Sequence, residues 1–210
     1  IEAIEGATTG DVAEGNVGGG TGMVCFGFKG GTGTASRRTS EGELAYTVGV
    51  LVQANFGLRP QLTIAGVPIG RELPLPPAAT HVPQPEQGSI IVVVATDAPL
   101  LPHQLKRVAR RAALGLARTG ACAANGSGDF MIAFSTANPE AASLTDPTRT
   151  VQMLSNAALN PVFDAAIFAT EAAILNAQEH LHALGITAWQ DAWATAGTHD
   201  AYRSLAADGR

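Results

Sequence analysis

The stretch that most constrains this chain begins with Gly88 and Ser89 and continues as Ile-Ile-Val-Val-Val through residues 90–94. Every residue of this run is apolar and β-branched, so no polar residue marks a side that faces solvent. Such a run predicts a strand that is covered on both faces. Ser89 then lies at the rim of a central strand, directly after a flexible glycine. The serine is either an ordinary strand-start residue or a point at which the chain cuts itself.

Self-cleavage would change the chemistry of Ser89. If the Gly88–Ser89 bond breaks, Ser89 becomes a chain terminus with two reactive groups. Its hydroxyl can attack a carbonyl, and its freed α-amine, with an ordinary pKa of about 7.7–8.0, can take the proton. One residue then supplies nucleophile and base in contact, so little orientational entropy remains to be lost. On the junction alone, both interpretations stay open.

Length and composition favour a single domain of sandwich or α/β type. Hydrophobic residues make up 46% of the 210 residues but aromatic residues only 5%, so alanine, valine, leucine and isoleucine must fill the core. The formal net charge of -5 argues against a nucleic-acid partner. No apolar run approaches the roughly 20 residues that span a bilayer, so we expect no membrane partner.

We expect neither a metal nor a cofactor. The glycine-rich segment at 14–22 leads into a predicted strand, whereas phosphate-binding loops lead into a helix. His180 and His182 stand two apart on a predicted helix and do not share a face. Cys25 and Cys122 lie in apolar surroundings, which predicts buried free thiols rather than a disulfide or a metal site.

The first residues, Ile-Glu-Ala-Ile-Glu-Gly, contain no methionine, no basic segment and no signal-type core. They are typical of the interior of a longer protein. A cytoplasmic location is the expectation, with the periplasm as the alternative.

Glycine and proline divide the part of the chain before Ser89. The strands predicted there are 23–29, 33–38 and 44–54. The first two are expected to pair with each other, and the third is expected to be central and to run into Asn55. Residues 61–73 are interpreted as a hairpin with its turn at 66–68. Several prolines in residues 74–88 predict an extended linker.

The part after Ser89 contains the clearest helix pattern, at 102–118, where apolar residues follow the spacing of one buried face. Its many basic residues are interpreted as a solvated face. A tight polar turn, Asn-Gly-Ser-Gly-Asp, occupies 125–129. The other predicted elements are a strand over 130–135, a long helix that starts at Asn160 and a last short helix around Trp189 and Trp193.

Motifs in five places, in this order, resemble one known family. They are Glu-Gly-Asn-Val-Gly-Gly-Gly-Thr-Gly-Met-Val-Cys at 14–25, Val-Leu-Val-Gln-Ala-Asn at 50–55, Gly-Ser-Ile-Ile-Val-Val-Val-Ala-Thr-Asp at 88–97, Asn-Gly-Ser-Gly-Asp at 125–129 and Ala-Phe-Ser-Thr-Ala-Asn at 133–138. The family is that of the self-processing serine aminopeptidases, the L-aminopeptidase/D-amidase-esterase and β-peptidyl aminopeptidase group. The resemblance covers most of residues 1–175.

The resemblance implies an αββα four-layer sandwich of the DOM type, similar to the N-terminal nucleophile hydrolases. It implies cleavage between Gly88 and Ser89, which leaves residues 1–88 as part of an α-subunit and a β-subunit of 210 − 88 = 122 residues. Residues 1–210 would then be a single-domain fragment, since family members carry a further N-terminal portion. That portion contributes a tyrosine to the oxyanion site and an acidic group that grips the substrate amine. The resemblance also suggests a tetramer of processed heterodimers.

The resemblance also implies the roles of the site residues. Ser89 corresponds to the nucleophile, with its own α-amine as the base. Ser127 and Asp129 correspond to a serine and an acid that hydrogen-bond around the new terminus. Asn55 corresponds to the asparagine that donates to the oxyanion. Many relatives carry glutamate where this chain has Asp129, whose side chain is shorter.

The predicted activity is hydrolysis that releases N-terminal residues from short peptides, amides or esters. Acyl transfer needs an attacking oxygen, a proton acceptor near neutral pH and donors aimed at the developing oxyanion. Two alternatives stay open. One is an acyltransferase similar to ornithine acetyltransferase, in which threonine is the nucleophile. The other is a processed but inactive scaffold subunit.

Overall fold

The computed structural model of this chain describes residues 1–39, 45–72, 88–145 and 147–183, without the side chains at 3–4 and 178–183. The predicted linker as far as residue 87 and the predicted short helix around Trp189 and Trp193 lie outside the described residues. The elements, in chain order, are α1 (Glu2–Glu5), β1 (Val24–Cys25), β2 (Phe28–Lys29), β3 (Gly31–Arg38), β4 (Thr47–Asn55), β5 (Ser89–Thr96), α2 (Pro102–Arg118), β6 (Phe130–Ser135) and α3 (Asn160–Ala183).

A four-stranded mixed sheet forms the centre of the described fold, with the strand order β3-β4-β5-β6. The β3–β4 and β4–β5 pairs are antiparallel, whereas β5 and β6 are parallel. A parallel pair needs a crossover connection, and α2 lies in that connection. The predicted central strand before Asn55, the strand after Gly88, the helix at 102–118 and the strand at 130–135 are confirmed.

Two helices cover one face of this sheet. α3 packs on β3 and β4, and α2 packs on β6 and on α3. The strand residues on this face are fully or almost fully buried, and they are Val48, Val50, Val52, Ala54, Ile90, Val92 and Val94. The predicted inner side of α2 is confirmed at Val108, Ala112 and Leu116, which are buried. The described residues therefore form one helix layer on one sheet layer.

The opposite face of the sheet is open in the described residues. Ile91 on β5 is 47% exposed, and Phe130, Ile132 and Phe134 on β6 are 58%, 45% and 45% exposed. Within the described residues, the expectation that the 90–94 strand is covered on both faces is therefore met on one face only. An all-apolar run indicates that both faces favour burial, but it does not identify which layer covers each face.

The first predicted strand pair is also wrong. Residues 23–29 fold back on themselves at Phe26 and Gly27, so that β1 pairs with β2. Both turn residues have positive φ, 52° and 69°. β3 pairs with β4 instead. This bend carries no signal in the residue pattern because a phenylalanine rarely occupies the left-handed region.

The predicted hairpin at 61–73 is reduced to a single antiparallel bridge between Ile64 and Val67. Its turn is Ala65-Gly66, with φ of 50° and 82°, rather than residues 66–68. Short 3-10 turns at Arg59–Gln61 and Ile69–Arg71 stand where longer strands were expected. Pro68 follows the bridge and has no N–H to extend a ladder.

The cysteine prediction is half right. Cys25 is fully buried, and burial raises the pKa of its thiol well above the ordinary value. Cys122 is exposed, so the prediction that both thiols are buried is wrong. Residue 122 follows the end of α2 on the way to the polar turn, where the chain lies at the surface.

The basic residues of α2 are only partly a solvated face. The guanidinium groups of Arg107 and Arg111 lie 5.1 and 3.5 Å from the centroid of the Phe163 ring on α3. Arg118 pairs with Glu171 of α3 at 2.5 Å. These side chains join the two helices, so part of the basic face of α2 is used in contacts within the molecule.

One stretch of the described chain, Asn156–Ala177, is long and apolar enough to span a membrane by length and composition. Half of it is buried inside the molecule, where α3 packs on the sheet and on α2. This burial is typical of the core helix of a folded domain. No long uninterrupted apolar run is visible in the sequence here because Asn160, Asp164 and Glu171 interrupt it.

Candidate active site

Ser89 and Asn55 lie side by side at one end of the sheet. Ser89 is the first residue of β5, Asn55 is the last residue of β4, and the two are direct partners in the antiparallel register. Direct partners project on the same face of a sheet. This face is the open one, because Ser89 stands two residues before the exposed Ile91 and so projects on the same side of the sheet. Asn55, as the direct partner of Ser89, projects on that side too. Both side chains are partly buried.

The polar turn at 125–129 contacts the Ser89 hydroxyl through its backbone. The Gly128 N–H donates to Ser89 Oγ at 2.8 Å. A Cβ at residue 128 would lie 3.3 Å from that oxygen, which is tighter than an ordinary contact. Glycine at this position therefore lets the turn approach the hydroxyl closely.

Asp129 contacts the residue after the serine rather than the serine itself. Asp129 Oδ1 accepts the Ile90 N–H at 3.1 Å and the Ser127 hydroxyl at 2.5 Å. The carboxylate therefore fixes the first peptide of β5 relative to the polar turn. The role of Asp129 in orienting the Ser89 amine stays a prediction.

The carboxamide of Asn55 has a defined orientation. Its Oδ1 accepts the Val24 N–H from β1 at 3.0 Å. Only the oxygen of a carboxamide can accept from an N–H, so this contact assigns the two ends of the group. Nδ2 is then the end that can donate to a ligand, as an oxyanion-binding residue requires.

Gly88 has a conformation that other residues rarely adopt. Its φ is 148°, and a Cβ on it would lie 2.2 Å from the backbone oxygen of Asn55. Any other side chain would force the residue before Ser89 away from β4. The glycine at the predicted cleavage point is therefore required by the structure of the uncut chain.

The structure brings together all four predicted catalytic residues, Ser89, Asn55, Ser127 and Asp129, at the start of β5. It adds two contacts that the sequence analysis missed, from the backbone N–H groups of Val24 and Gly128. No side-chain pattern signals a backbone donor. Within the described residues, no group of three histidine, cysteine or acidic side chains could hold a metal ion.

Residues 1–186 match the family model described as Peptidase family S58. The chain belongs to peptidase family S58. The sequence of this S58 chain is 54% identical over 191 residues to "Beta-peptidyl aminopeptidase BapA" of Sphingosinicella microcystinivorans, which covers 84% of the chain and 47% of the relative. It is 46% identical over 190 residues to the protein of the same name from Sphingosinicella xenopeptidilytica, with 83% and 46% covered. The S58 chain thus spans about half the length of the curated relatives it matches.

Solved structures agree with this family assignment. The S58 chain is similar to the L-aminopeptidase D-Ala-esterase/amidase of Ochrobactrum anthropi, with a TM-score of 0.72, 50% identity and coverage of 84% of this chain and 47% of the other. A Burkholderia sp. β-aminopeptidase gives a TM-score of 0.71 at 44% identity, covering 90% and 58%. The Ochrobactrum structure is described as a new variant among the Ntn hydrolase fold. The predicted fold class is thereby confirmed, and the described sheet and helices are two layers of that sandwich.

Proposed function

We propose that this S58 chain is the part of a self-cleaving serine aminopeptidase that carries the nucleophile. The enzyme would hydrolyse N-terminal residues from short peptides, amides or esters. The observation that most supports this proposal is the environment of the Ser89 hydroxyl. Ser89 begins β5, its hydroxyl accepts the Gly128 N–H at 2.8 Å, and it lies beside the oriented carboxamide of Asn55.

The first reaction in this proposal is cleavage of the chain itself. Ser89 Oγ attacks the carbonyl carbon of Gly88, the Gly88–Ser89 C–N bond breaks, and an ester to Oγ forms. The hydroxyl proton moves to the departing nitrogen, which becomes the α-amine of Ser89. Water then hydrolyses the ester, which leaves a carboxylate on Gly88 and a free hydroxyl on Ser89. The close approach of Gly88 to β4 supports this step because it holds the bond at the strand end.

The second reaction uses the new terminus on a substrate. Ser89 Oγ attacks the substrate carbonyl, and the α-amine accepts the proton and returns it to the leaving group. The Asn55 Nδ2 donates to the developing oxyanion, a contact whose loss typically costs about 2.7–4 kcal/mol of barrier. Water hydrolyses the acyl-enzyme in the same way. Asp129, with Ser127, holds the Ile90 peptide and so fixes the position of the terminus.

The names of the similar proteins support the choice of substrates. Two relatives are named as β-peptidyl aminopeptidases, and one structural neighbour as an L-aminopeptidase D-Ala-esterase/amidase. We therefore propose peptides, amides and esters with a free N-terminal amine as the substrate class. Activity assays with matched amides would measure whether the enzyme prefers L- or D-residues and whether it prefers α- or β-residues.

Mass spectrometry of the purified full-length protein tests the proposal. We expect a break between Gly88 and Ser89, and hydrolysis of aminoacyl amides only by the cut protein. Ser89→Ala should block both events, whereas Ser89→Cys or Ser89→Thr should still process. Active protein with an intact Gly88–Ser89 bond, or a Ser89→Ala protein that matures, would contradict the terminal-amine mechanism.

Two further outcomes would assign the site to another class. Acyl transfer to an added amine in preference to water would indicate an acyltransferase. Absence of labelling at Ser89 by a sulfonyl fluoride, in protein that has been cut, would indicate a scaffold subunit.

We also propose that the active enzyme is a homo-oligomer, a tetramer of processed αβ heterodimers. The apolar side chains on the open face of the sheet are exposed in this chain, which supports the proposal that further protein buries them in the assembled enzyme. Light scattering of the processed protein tests the assembly.

We propose a cytoplasmic location for the enzyme. The exposed free thiol of Cys122 supports this location because it fits a reducing compartment, and cell fractionation tests it.

A further inference from the structure

The β1–β2 hairpin contains an unusual turn. Cys25 and Phe28 are paired, and the two residues between them, Phe26 and Gly27, both have positive φ. This is the signature of a type I′ turn, which favours asparagine or glycine at its first position. A bulky residue in the left-handed region is an outlier that persists only when its surroundings determine it.

The surroundings of Phe26 do determine it. Its side chain is fully buried, and its ring meets the Phe56 ring edge-on at a centroid distance of 5.1 Å. Gly57 provides space for the ring, since a Cβ there would lie 2.5 Å from a ring carbon. The Phe26 N–H donates to the Phe56 oxygen at 2.8 Å. The turn is thus anchored to the residues that directly follow Asn55.

The same hairpin also holds the Asn55 side chain. Val24 lies two residues before Phe26, and its N–H donates to Asn55 Oδ1 at 3.0 Å. One short hairpin therefore contacts the carboxamide of Asn55 through β1 and the backbone after Asn55 through the turn. β1, which carries the Val24 N–H, leads directly into the turn at Phe26.

We propose that the β1–β2 hairpin orients the oxyanion donor, with Phe26 as the positioning residue. This inference rests on the proposed role of Asn55. Without a fixed Val24 N–H the carboxamide can rotate, and its oxygen then faces the developing negative charge in place of Nδ2. The effect acts on the transition state, so it lowers kcat and leaves KM nearly unchanged.

A double-mutant cycle tests the inference in the full-length protein. Phe26→Leu should lower kcat on an aminoacyl amide, and the rate of Gly88–Ser89 cleavage, on the order of 10- to 100-fold. Asn55→Ala should lower both by about 10²- to 10³-fold. If Phe26 acts through Asn55, adding Phe26→Leu to Asn55→Ala should change kcat by less than about two-fold.

Phe163→Leu is the matched control, because Phe163 is a buried phenylalanine of α3 that packs against α2. It should reduce stability in the manner of Phe26→Leu but change kcat by less than about two-fold. Equal kcat losses in the two variants, or a Phe26→Leu loss that multiplies with that of Asn55→Ala, would overturn the inference.

If Phe26→Leu folds poorly, a second variant with a backbone ester at Val24 tests the same contact without changing a side chain. Replacing the Val24 amide by an ester removes the N–H and leaves every side chain in place. We expect the same fall in kcat, again absent in the Asn55→Ala background, and an ester protein with unchanged kcat would refute the inference. An Asn55→Ala protein with unchanged kcat would instead refute the proposed role of Asn55 itself, and the inference with it.

Discussion

Two turns in this chain share a backbone conformation but differ in their surroundings. Phe26-Gly27 and Ala65-Gly66 each place two successive residues at positive φ between paired neighbours. The first turn buries its leading side chain completely, whereas Ala65 is exposed. At the exposed turn only the local backbone restricts the residue type, and a small residue suffices. At the buried turn the packing around the ring outweighs the left-handed penalty.

The difference shows how an unfavourable local conformation is tolerated near a candidate active site. The Phe26 ring contacts Phe56, and the same hairpin carries the Val24 N–H that holds Asn55. In the described residues, a Cβ on Gly66 would meet no atom within 4 Å apart from its own residue and its two chain neighbours. Variants at the two turns separate the backbone contribution, which both turns share, from the packing contribution, which only the first turn has.

The largest expected effect is that of Phe26→Ala. It removes a buried aromatic side chain and should lower the free energy of unfolding by about 3–5 kcal/mol. Urea denaturation measures this change. Ala65→Gly, at the exposed turn, should change the same quantity by less than about 1 kcal/mol. Similar losses at the two turns would mean that packing does not distinguish them.

The next effect is that of Gly57→Ala, which introduces a methyl group 2.5 Å from the Phe26 ring. Overpacking of this kind should lower the free energy of unfolding by about 1–3 kcal/mol, with an added penalty for the positive φ of residue 57. Combined with Phe26→Ala, the steric part of the loss should disappear. A loss that persists in the double variant would show that the ring is not the partner.

A matched pair, Gly27→Ala and Gly66→Ala, tests the backbone contribution alone. Each places a methyl group in the left-handed region and should destabilise by about 1–2 kcal/mol. Thermal unfolding compares the two losses. Only Gly27→Ala should also slow cleavage at Gly88–Ser89, because only that turn belongs to the hairpin that holds Asn55. Slower cleavage in Gly66→Ala would contradict the assignment of the effect to β1 and β2.

The smallest effect is that of Ala65→Asn. Asparagine followed by glycine suits a type I′ turn, so this variant should raise the free energy of unfolding by about 0.5 kcal/mol. The midpoint of urea denaturation measures it. Phe26→Asn should show no such gain, since the ring is lost. A gain at residue 26 would mean that the turn preference exceeds the packing contribution of Phe26.

Much of the fold could be predicted from local pattern. The strand after Gly88, the helix at 102–118 and the strand at 130–135 follow from runs and spacings that a sequence displays directly. Two predictions failed for reasons that the pattern does not carry. Phe26 occupies a turn because of the packing around its ring, and the hairpin at 61–73 is reduced because Pro68 has no N–H to extend it.

The candidate site was predicted as a set of side chains and completed by backbone groups. The sequence by itself determined that a serine begins an apolar strand, that an asparagine ends another strand and that an acid in a glycine-rich turn precedes a third. Only the tertiary structure decided that Ser89 pairs with Asn55, and that the N–H groups of Gly128 and Val24 hold their polar atoms. The physical reason is that nearly every residue carries the same backbone N–H, and its direction depends on strand register and turn geometry rather than on residue identity.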